Sequence, residues 1–294
     1  MTTCSVCSSK NLYSKMYDHH LVSISNPPST DDYSVLKNKV PAHFVFKGFV
    51  NICKDCGHGV MASIPDAEQI STFYKLQFWK KASLEQRPTS ASAGQQSPKH
   101  LARAKRQQEF ISKYVELNSI KSCLEIGPGE AYLTLALKEQ ASQDCRFDLC
   151  EPSTSWDDYY KINKLNKVAE FFPFASDRKY HLIVASHWLE HIADPESTFQ
   201  LLSDQLDDGG LLMIEVPNTA NNYWSLPIKD APHIHFFTLQ SLIKLASTAG
   251  FNCIEGCEFG ISLEDYLQGI EANYQSSGPT ARGYSAAAIF QKVR

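Results

Sequence analysis

Seven short apolar runs recur between Ser122 and Val293: Ser122–Ile126, Phe147–Cys150, Val168–Phe171, His181–Ser186, Leu211–Val216, Phe251–Phe259 and Ala286–Val293. Continuous runs of this kind suit strands covered on both faces, the condition of a largely parallel sheet under helices. The stretches between them carry helix punctuation. Asp194 can cap a helix whose first residue is Pro195, and Gly209-Gly210 follows Leu206 as its stop. Thr238 precedes Leu239, Leu242, Ile243, Leu245, Ala246 and Ala249, with Gly250 as terminator. Ahead of the first strand, Leu101, Ala104, Ile111, Tyr114 and Val115 keep a helical spacing within Lys99–Leu117. These patterns predict an α/β domain over 99–294, with a helix-like stretch and the loop Gln275–Arg282 before its last strand.

The first run ends in Glu125 and passes through Gly127-Pro128-Gly129 into the helical run Leu133–Leu137. Glycines let backbone approach a ligand, and a helix N-terminus offers N–H groups to an anion, so this is the layout of a nucleotide-binding turn. Glu151 ends the next run, where an acid can hold both hydroxyls of a ribose. A dinucleotide dehydrogenase uses the same geometry, but Tyr132 stands where its third glycine would be. Glu125 suits a ligand that carries an ammonium group.

Ser186-His187-Trp188-Leu189-Glu190-His191-Ile192-Ala193-Asp194-Pro195 follows the fourth run, and Gly209-Gly210-Leu211-Leu212 through Pro217-Asn218 forms the fifth. With the acid–Gly–Gly turn and Glu151, this order resembles the class I S-adenosylmethionine-dependent methyltransferases over Lys99–Arg294. The resemblance implies a Rossmann-like, seven-stranded α/β methyltransferase sheet flanked by helices, with S-adenosylmethionine as cofactor. It implies that Glu125, Gly127, Pro128 and Gly129 face the methionine portion, that Glu151, Pro152 and Ser153 hold the ribose, and that Ser186, His187 and Leu189 floor the cavity. Ala169–Phe171 would lie near the adenine. Ala131 replaces a frequent third glycine, for which a slight tightening is expected. Glu190 is expected to tie its loop to a backbone amide.

The 294 residues suffice for one full domain and a smaller module. Cys4-x2-Cys7 and Cys53-x2-Cys56 are two chelating pairs that can place four thiolates on one tetrahedral ion, as in zinc ribbons. Four protein ligands leave no open position, so the Zn2+ would be structural. We expect a zinc-binding module over 1–80, a linker or mobile loop over 81–98 rich in Ser, Ala, Gln and Pro, and the methyltransferase domain over 99–294. Residues 1–80 show no long helical period, which predicts an irregular module. Cys123, Cys145, Cys150, Cys253 and Cys257 fall on or near predicted strands, where packing is their expected role.

Methyl transfer to a hydroxyl or carbon acceptor needs alignment and a base. Asp230-Ala231-Pro232-His233-Ile234-His235-Phe236-Phe237-Thr238 lies after strand five, at the edge where substrates enter such sheets. With the zinc pairs, this segment resembles the sugar methyltransferases that carry an N-terminal zinc module and an acid–His motif before the last helix. The resemblance implies His233 as general base, with Pro232 in place of the motif's glutamate; His235 is a second candidate. Tyr74 matches a tyrosine-bearing segment of that family leading toward the pocket.

Net charge is -4, which gives no basic footprint for nucleic acid. Lys99, His100, Arg103, Lys105 and Arg106 form a local basic cluster, read as a solvated helix face. The expected partner is a small-molecule substrate such as a nucleotide sugar, with no nucleic acid and no membrane. An RNA methyltransferase and a non-catalytic interaction protein are the competing readings. The N-terminus lacks the basic-then-apolar signature of export, and paired Cys-x-x-Cys motifs suit a reducing compartment, so the expected location is cytoplasmic.

Overall fold

Each of the seven apolar runs forms a strand. The computed structural model describes residues 3–18, 47–66, 68, 70, 98–220, 223–224, 233–259 and 285–293. In chain order the elements are β1 (Leu12–Asp18), β2 (Lys47–Cys53), β3 (Gly59–Met61), α1 (Pro98–Ser112), β4 (Ser122–Ile126), α2 (Tyr132–Gln140), β5 (Arg146–Cys150) and α3 (Asp157–Ile162). They continue through β6 (Asn166–Ala169), β7 (Tyr180–Ser186), α4 (Pro195–Gln205), β8 (Leu206–Pro217), β9 (His235–Phe236), α5 (Leu239–Thr248), β10 (Phe251–Phe259) and β11 (Ser285–Lys292).

The large sheet has the order β10-β11-β8-β7-β4-β5-β6. β8, β7, β4, β5 and β6 are parallel, and β11 inserts antiparallel between β8 and β10. Alternate residues serve opposite faces. Leu124, Ile126, Ile183, Ala185, Leu212 and Ile214 pack beneath Phe199, Leu202, Leu242 and Leu245. Cys123, Leu182, Val184 and Met213 meet Phe110, Ile111, Leu133, Leu137 and Tyr160 on the other side. A fully buried side chain such as Phe199 contributes enough that its truncation to Ala costs about 3–5 kcal/mol.

The caps form where the sequence puts them. Asp194 Oδ1 accepts from Ser197 N at 3.0 Å, and Thr238 Oγ1 accepts from Ser241 N at 3.1 Å in a capping box. Three boundaries differ from expectation. α1 stops at Ser112, and a 3₁₀ turn over Leu117–Ser119 follows it. β6 starts two residues early, with Asn166 Nδ2 donating to buried Asp148 Oδ1 at 2.8 Å. Gly209-Gly210 does not end a helix but lies inside β8: a Cβ at Gly210 would come within 2.9 Å of the Tyr180 carbonyl oxygen, so only glycine lets the strands close there.

The N-terminal residues are less irregular than predicted. β1, β2 and β3 form an antiparallel sheet, and its fourth strand is β9, with Gly59 opposite Phe236 and Val60 opposite His235. Met61 N donates to Ile234 O at 2.9 Å, and Thr238 Oγ1 donates to Cys56 O at 2.8 Å. The small sheet is thus completed by residues that lie beyond strand five of the large one. Among the described residues no helix is long and apolar enough to cross a membrane.

Candidate functional site

The turn after β4 is built by backbone conformation. Gly127 has φ 68°, and an added Cβ would sit 3.3 Å from Trp188 Cδ1, so glycine keeps a cradle open between the turn and Trp188. Glu151 Oε2 accepts from Gly129 N at 3.1 Å and its Oε1 from Ser153 N at 2.8 Å. Burial nonetheless raises the Glu151 carboxyl above its ordinary range, against the pull of those two amides. The two predicted ligand-binding segments, 127–129 and 151–153, are therefore joined to each other, with Pro128 and Pro152 half-buried at their bends.

Glu125 is buried, and its Oε2 accepts from both the amide and the hydroxyl of Thr134. Thr134 is the third residue of α2, whose N-cap, Ala131, has no side chain able to cap. The acid at the strand end therefore does the capping. Burial pushes its carboxyl up to about 7, which the Thr134 donors only partly oppose. Ala131 itself adopts a left-handed φ of 54° and is fully buried. The missing third glycine thus costs about 1–2 kcal/mol of backbone strain and is more than the slight tightening expected.

At the C-terminal end of β7, Ser186 Oγ accepts from Gln107 Nε2 at 2.9 Å, and Leu189 is fully buried beneath the turn. His187 has a left-handed φ of 53° and donates its backbone N–H to Glu215 O at 2.8 Å. Its ring lies between two buried acids, Nδ1 3.6 Å from Glu190 and Nε2 3.7 Å from Glu215. Burial opposes the charged ring, but the two carboxylates outweigh it and raise the His187 pKa.

Glu215 was not singled out in the sequence, and Arg106 entered only as one member of the basic cluster. Arg106 pairs with Glu215 Oε1 at 3.0 Å, Gln107 Nε2 donates to Glu215 Oε2 at 2.9 Å, and the guanidinium lies 4.2 Å from the Phe259 ring centroid. The basic cluster is therefore not a uniformly solvated face: Arg106, Gln107 and Gln108 are buried, whereas Lys105 is exposed. The signal lay in Glu215, a charge inside an apolar strand that had to find a cation.

Beyond β7, the 3₁₀ turn Leu189–His191 aligns with the segment before β9, because Ile234 N donates to Glu190 O at 2.9 Å. That bond brings His233 beside Glu190, whose Oε1 lies 3.9 Å from His233 Nε2 and 3.6 Å from His191 Nε2. The Glu190 side chain does not tie its loop to an amide; its backbone carbonyl does. Although burial favours the neutral acid, the rings of His191, His187 and His233 hold its carboxyl down to about 2. His235 is buried, with Nδ1 3.2 Å from His58 Nε2 and Nε2 3.4 Å from Ala193 O, and burial lowers its pKa to about 4. Its ring stacks on His58 and ties β9 to the N-terminal sheet. Tyr74, Pro232 and the loop Gln275–Arg282 lie outside the described residues, as does all of 81–98 except Pro98.

Cys4, Cys7, Cys53 and Cys56 converge, with Sγ atoms all within 4.8 Å of one another. Cys4–Cys56 and Cys7–Cys53 sulfur separations are 3.7 and 3.5 Å. Zn–S bonds of about 2.3 Å at tetrahedral angles place sulfurs about 3.8 Å apart, so the set fits zinc. Burial pushes the thiols of Cys4 and Cys56 up, and a cation is what such sulfurs need to ionise. Val6 N already donates to Cys4 Sγ at 3.4 Å.

Among solved structures the chain aligns with a methyltransferase from Clostridium acetobutylicum (12% identity, 65% of this chain and 92% of that one, TM-score 0.48) and with the N-methyltransferase NodS of Bradyrhizobium japonicum (15%, 64% and 88%, TM-score 0.44). The glycopeptide N-methyltransferase MtfA, solved with sinefungin, aligns at 12% identity over 65% of this chain and 94% of its own, with a TM-score of 0.46. No curated protein matches. The family model described as a methyltransferase domain matches residues 99–255, more than half of the chain and the span that holds the Gly127–Gly129 turn, Glu151 and the Ser186–Pro195 segment. This chain therefore belongs to the methyltransferase domain family, as a class I S-adenosylmethionine-dependent enzyme.

Proposed function

We propose that the enzyme methylates an oxygen or carbon of a small hydroxylated molecule, a sugar carried on a nucleotide or glycan. One observation carries this reading: the Glu190–His191–His233 cluster. The sugar-methyltransferase motif puts an acid directly before its histidine, and here Pro232 stands there; Glu190 supplies an acid to His233 from another segment. When bound, S-adenosylmethionine supplies an electrophilic methyl group on a sulfonium. In this reading Glu125, Gly127, Pro128 and Gly129 receive its methionine portion, Glu151, Pro152 and Ser153 its ribose, and Ser186, His187 and Leu189 the floor below the sulfonium.

Glu125 and Glu151 then offer negative charge to an ammonium and to ribose hydroxyls, and Trp188 walls the cradle opposite Gly127. The acceptor hydroxyl is activated at the cluster on Glu190, where a buried carboxylate stabilises positive charge. His233 rather than His235 is the ring for this task, since His235 is committed to His58 and Ala193. Residues 1–80 act as a zinc-folded cover, 81–98 as the link, and 99–294 as the catalytic domain, working in the cytoplasm where thiols stay reduced.

Incubation with labelled donor and separate panels of nucleotide sugars, small phenols and RNA tests the reading. Label in the sugar panel, lost in His233→Ala while donor binding persists, is the expected result. Label in RNA alone would replace the reading with an RNA methyltransferase, and label in no panel would favour an interaction protein.

A further inference from the structure

The Glu190 carboxylate is buried, and among the described residues neither of its oxygens has a hydrogen-bond partner. An ionised carboxylate in that position ordinarily costs several kcal/mol unless a cation or donors face it. What faces it is imidazole, at distances too long for hydrogen bonds: 3.6 Å to His191 Nε2, 3.9 Å to His233 Nε2 and 3.6 Å to His187 Nδ1. One oxygen of Glu190 and one nitrogen each from His191 and His233 all lie within 4.8 Å of one another.

We propose that Glu190, His191 and His233 form a divalent-cation site, separate from the four cysteines, at the acceptor edge of the pocket. Metal–nitrogen and metal–oxygen bonds of about 2.0–2.2 Å put neighbouring ligand atoms about 3–3.5 Å apart, so the two Glu190–histidine pairs, at 3.6 and 3.9 Å, need shifts of only about a few tenths of an ångström. The donor set, two imidazoles and a carboxylate, selects Zn2+, Mn2+ or Fe2+ over Mg2+ or Ca2+, which favour all-oxygen shells. It differs in kind from the thiolate site, so the two need not compete for one metal.

The fold places each ligand separately. Glu190 and His191 come from the 3₁₀ turn after β7, and His233 is brought in by the Ile234 N to Glu190 O bond. The rings of His191 and His233 meet edge to face at 5.0 Å between centroids, as two ligands converging on one ion do. Exposure is graded, 2% for the Glu190 side chain against 13% and 16% for the rings, so the carboxylate forms the floor and the open positions point outward. His187 reaches Glu190 from another side and Glu215 beyond it, the outer contact that orients a ligating carboxylate.

Three protein ligands leave room for an oxygen of the acceptor. A hydroxyl bound there would become more acidic and lose its proton to solvent water, so in the metal-loaded enzyme His233 serves as a ligand in place of a base. Its oxygen then takes the methyl carbon, the carbon–sulfur bond of the donor breaks, and the neutral thioether leaves. This chemical role rests on the proposed function; the binding site does not.

Binding is therefore read without turnover. Mn2+ added to the full-length, zinc-loaded protein is followed by electron paramagnetic resonance, with calorimetry of Zn2+ beyond the thiolate equivalent as the second measurement. One saturable equivalent is expected, weakened by more than about tenfold in Glu190→Gln and His233→Ala, while S-adenosylhomocysteine affinity holds. His233→Ala, at the rim, keeps the test valid if Glu190→Gln does not fold. Absence of binding, or binding unchanged in both variants, overturns the site. Intact metal binding with no effect of the metal on sugar methylation overturns the acceptor reading and leaves the site standing.

Discussion

Replacing Thr238 by Val removes one oxygen and two hydrogen bonds that serve different parts of the molecule. Thr238 Oγ1 accepts from Ser241 N at 3.1 Å, capping α5, and donates to Cys56 O at 2.8 Å, at the second cysteine knuckle. Loss of an N-cap costs about 1 kcal/mol, within a range of 0.5–2. The bond to Cys56 contributes about 0.5–1.5 kcal/mol, and its carbonyl belongs to a buried residue. The expected total is about 2 kcal/mol, or roughly 4–8 °C in Tm for a chain of this size. Valine fills both γ positions, with a methyl in place of the hydroxyl, so packing changes little, and Thr238→Ser keeps the oxygen as a control. Urea unfolding measures the first effect, and the rate of zinc transfer to a chromogenic chelator measures the second. The Cys56 share, about 1 kcal/mol, corresponds to roughly fivefold faster zinc loss. A Val variant within about 0.5 kcal/mol of the parent, or one with unchanged zinc loss, would refute the double role.

Gly127→Ala is expected to weaken S-adenosylhomocysteine binding by about tenfold, from a left-handed backbone cost of about 1–2 kcal/mol and the 3.3 Å approach to Trp188; calorimetry showing unchanged affinity would contradict the cradle. Glu125, raised to about 7 by burial, gives the ligand-free protein stability that is full below its unfolded pKa near 4.5 and is lost as pH rises through about 7. Donor binding, which wants the ionised form, should therefore raise Tm more at pH 8 than at pH 6, and Glu125→Gln should flatten that difference. Glu215→Gln leaves Arg106 buried without its counter-charge and should cost about 3–5 kcal/mol in chemical unfolding; a loss under about 1 kcal/mol would mean that the guanidinium finds water instead.

What the sequence made legible was whatever depends on local pattern. Continuous apolar runs gave the sheet, Asp194 and Thr238 gave helix starts, and cysteine spacing gave the thiolate cluster. What it hid depends on partners distant in the chain. β9 is two residues long, too short to carry a period, and exists because β3 offers an edge. Arg106 looked like a surface cation because its acid lies 109 positions away. Glu190 looked structural because its neighbours in sequence could not show His233 arriving beside it. Ala131 was read by size, whereas its backbone conformation sets its cost.

The two-residue strand β9 has a consequence for how the enzyme matures. The residues proposed to hold the donor sit on or just after β4, β5 and β7, strands that carry none of the four clustered cysteines. His233 is held through Ile234 to Met61, which ends the strand after the Cys53–Cys56 knuckle, a turn that zinc would order. A newly made chain would first acquire the ability to hold the methyl donor and only later, on zinc arrival, the ability to spend it. Zinc supply would then act as a licence for turnover, and a zinc-starved pool should consist of molecules that bind donor yet transfer nothing, a state that equilibrium dialysis and single-turnover assay can tell apart.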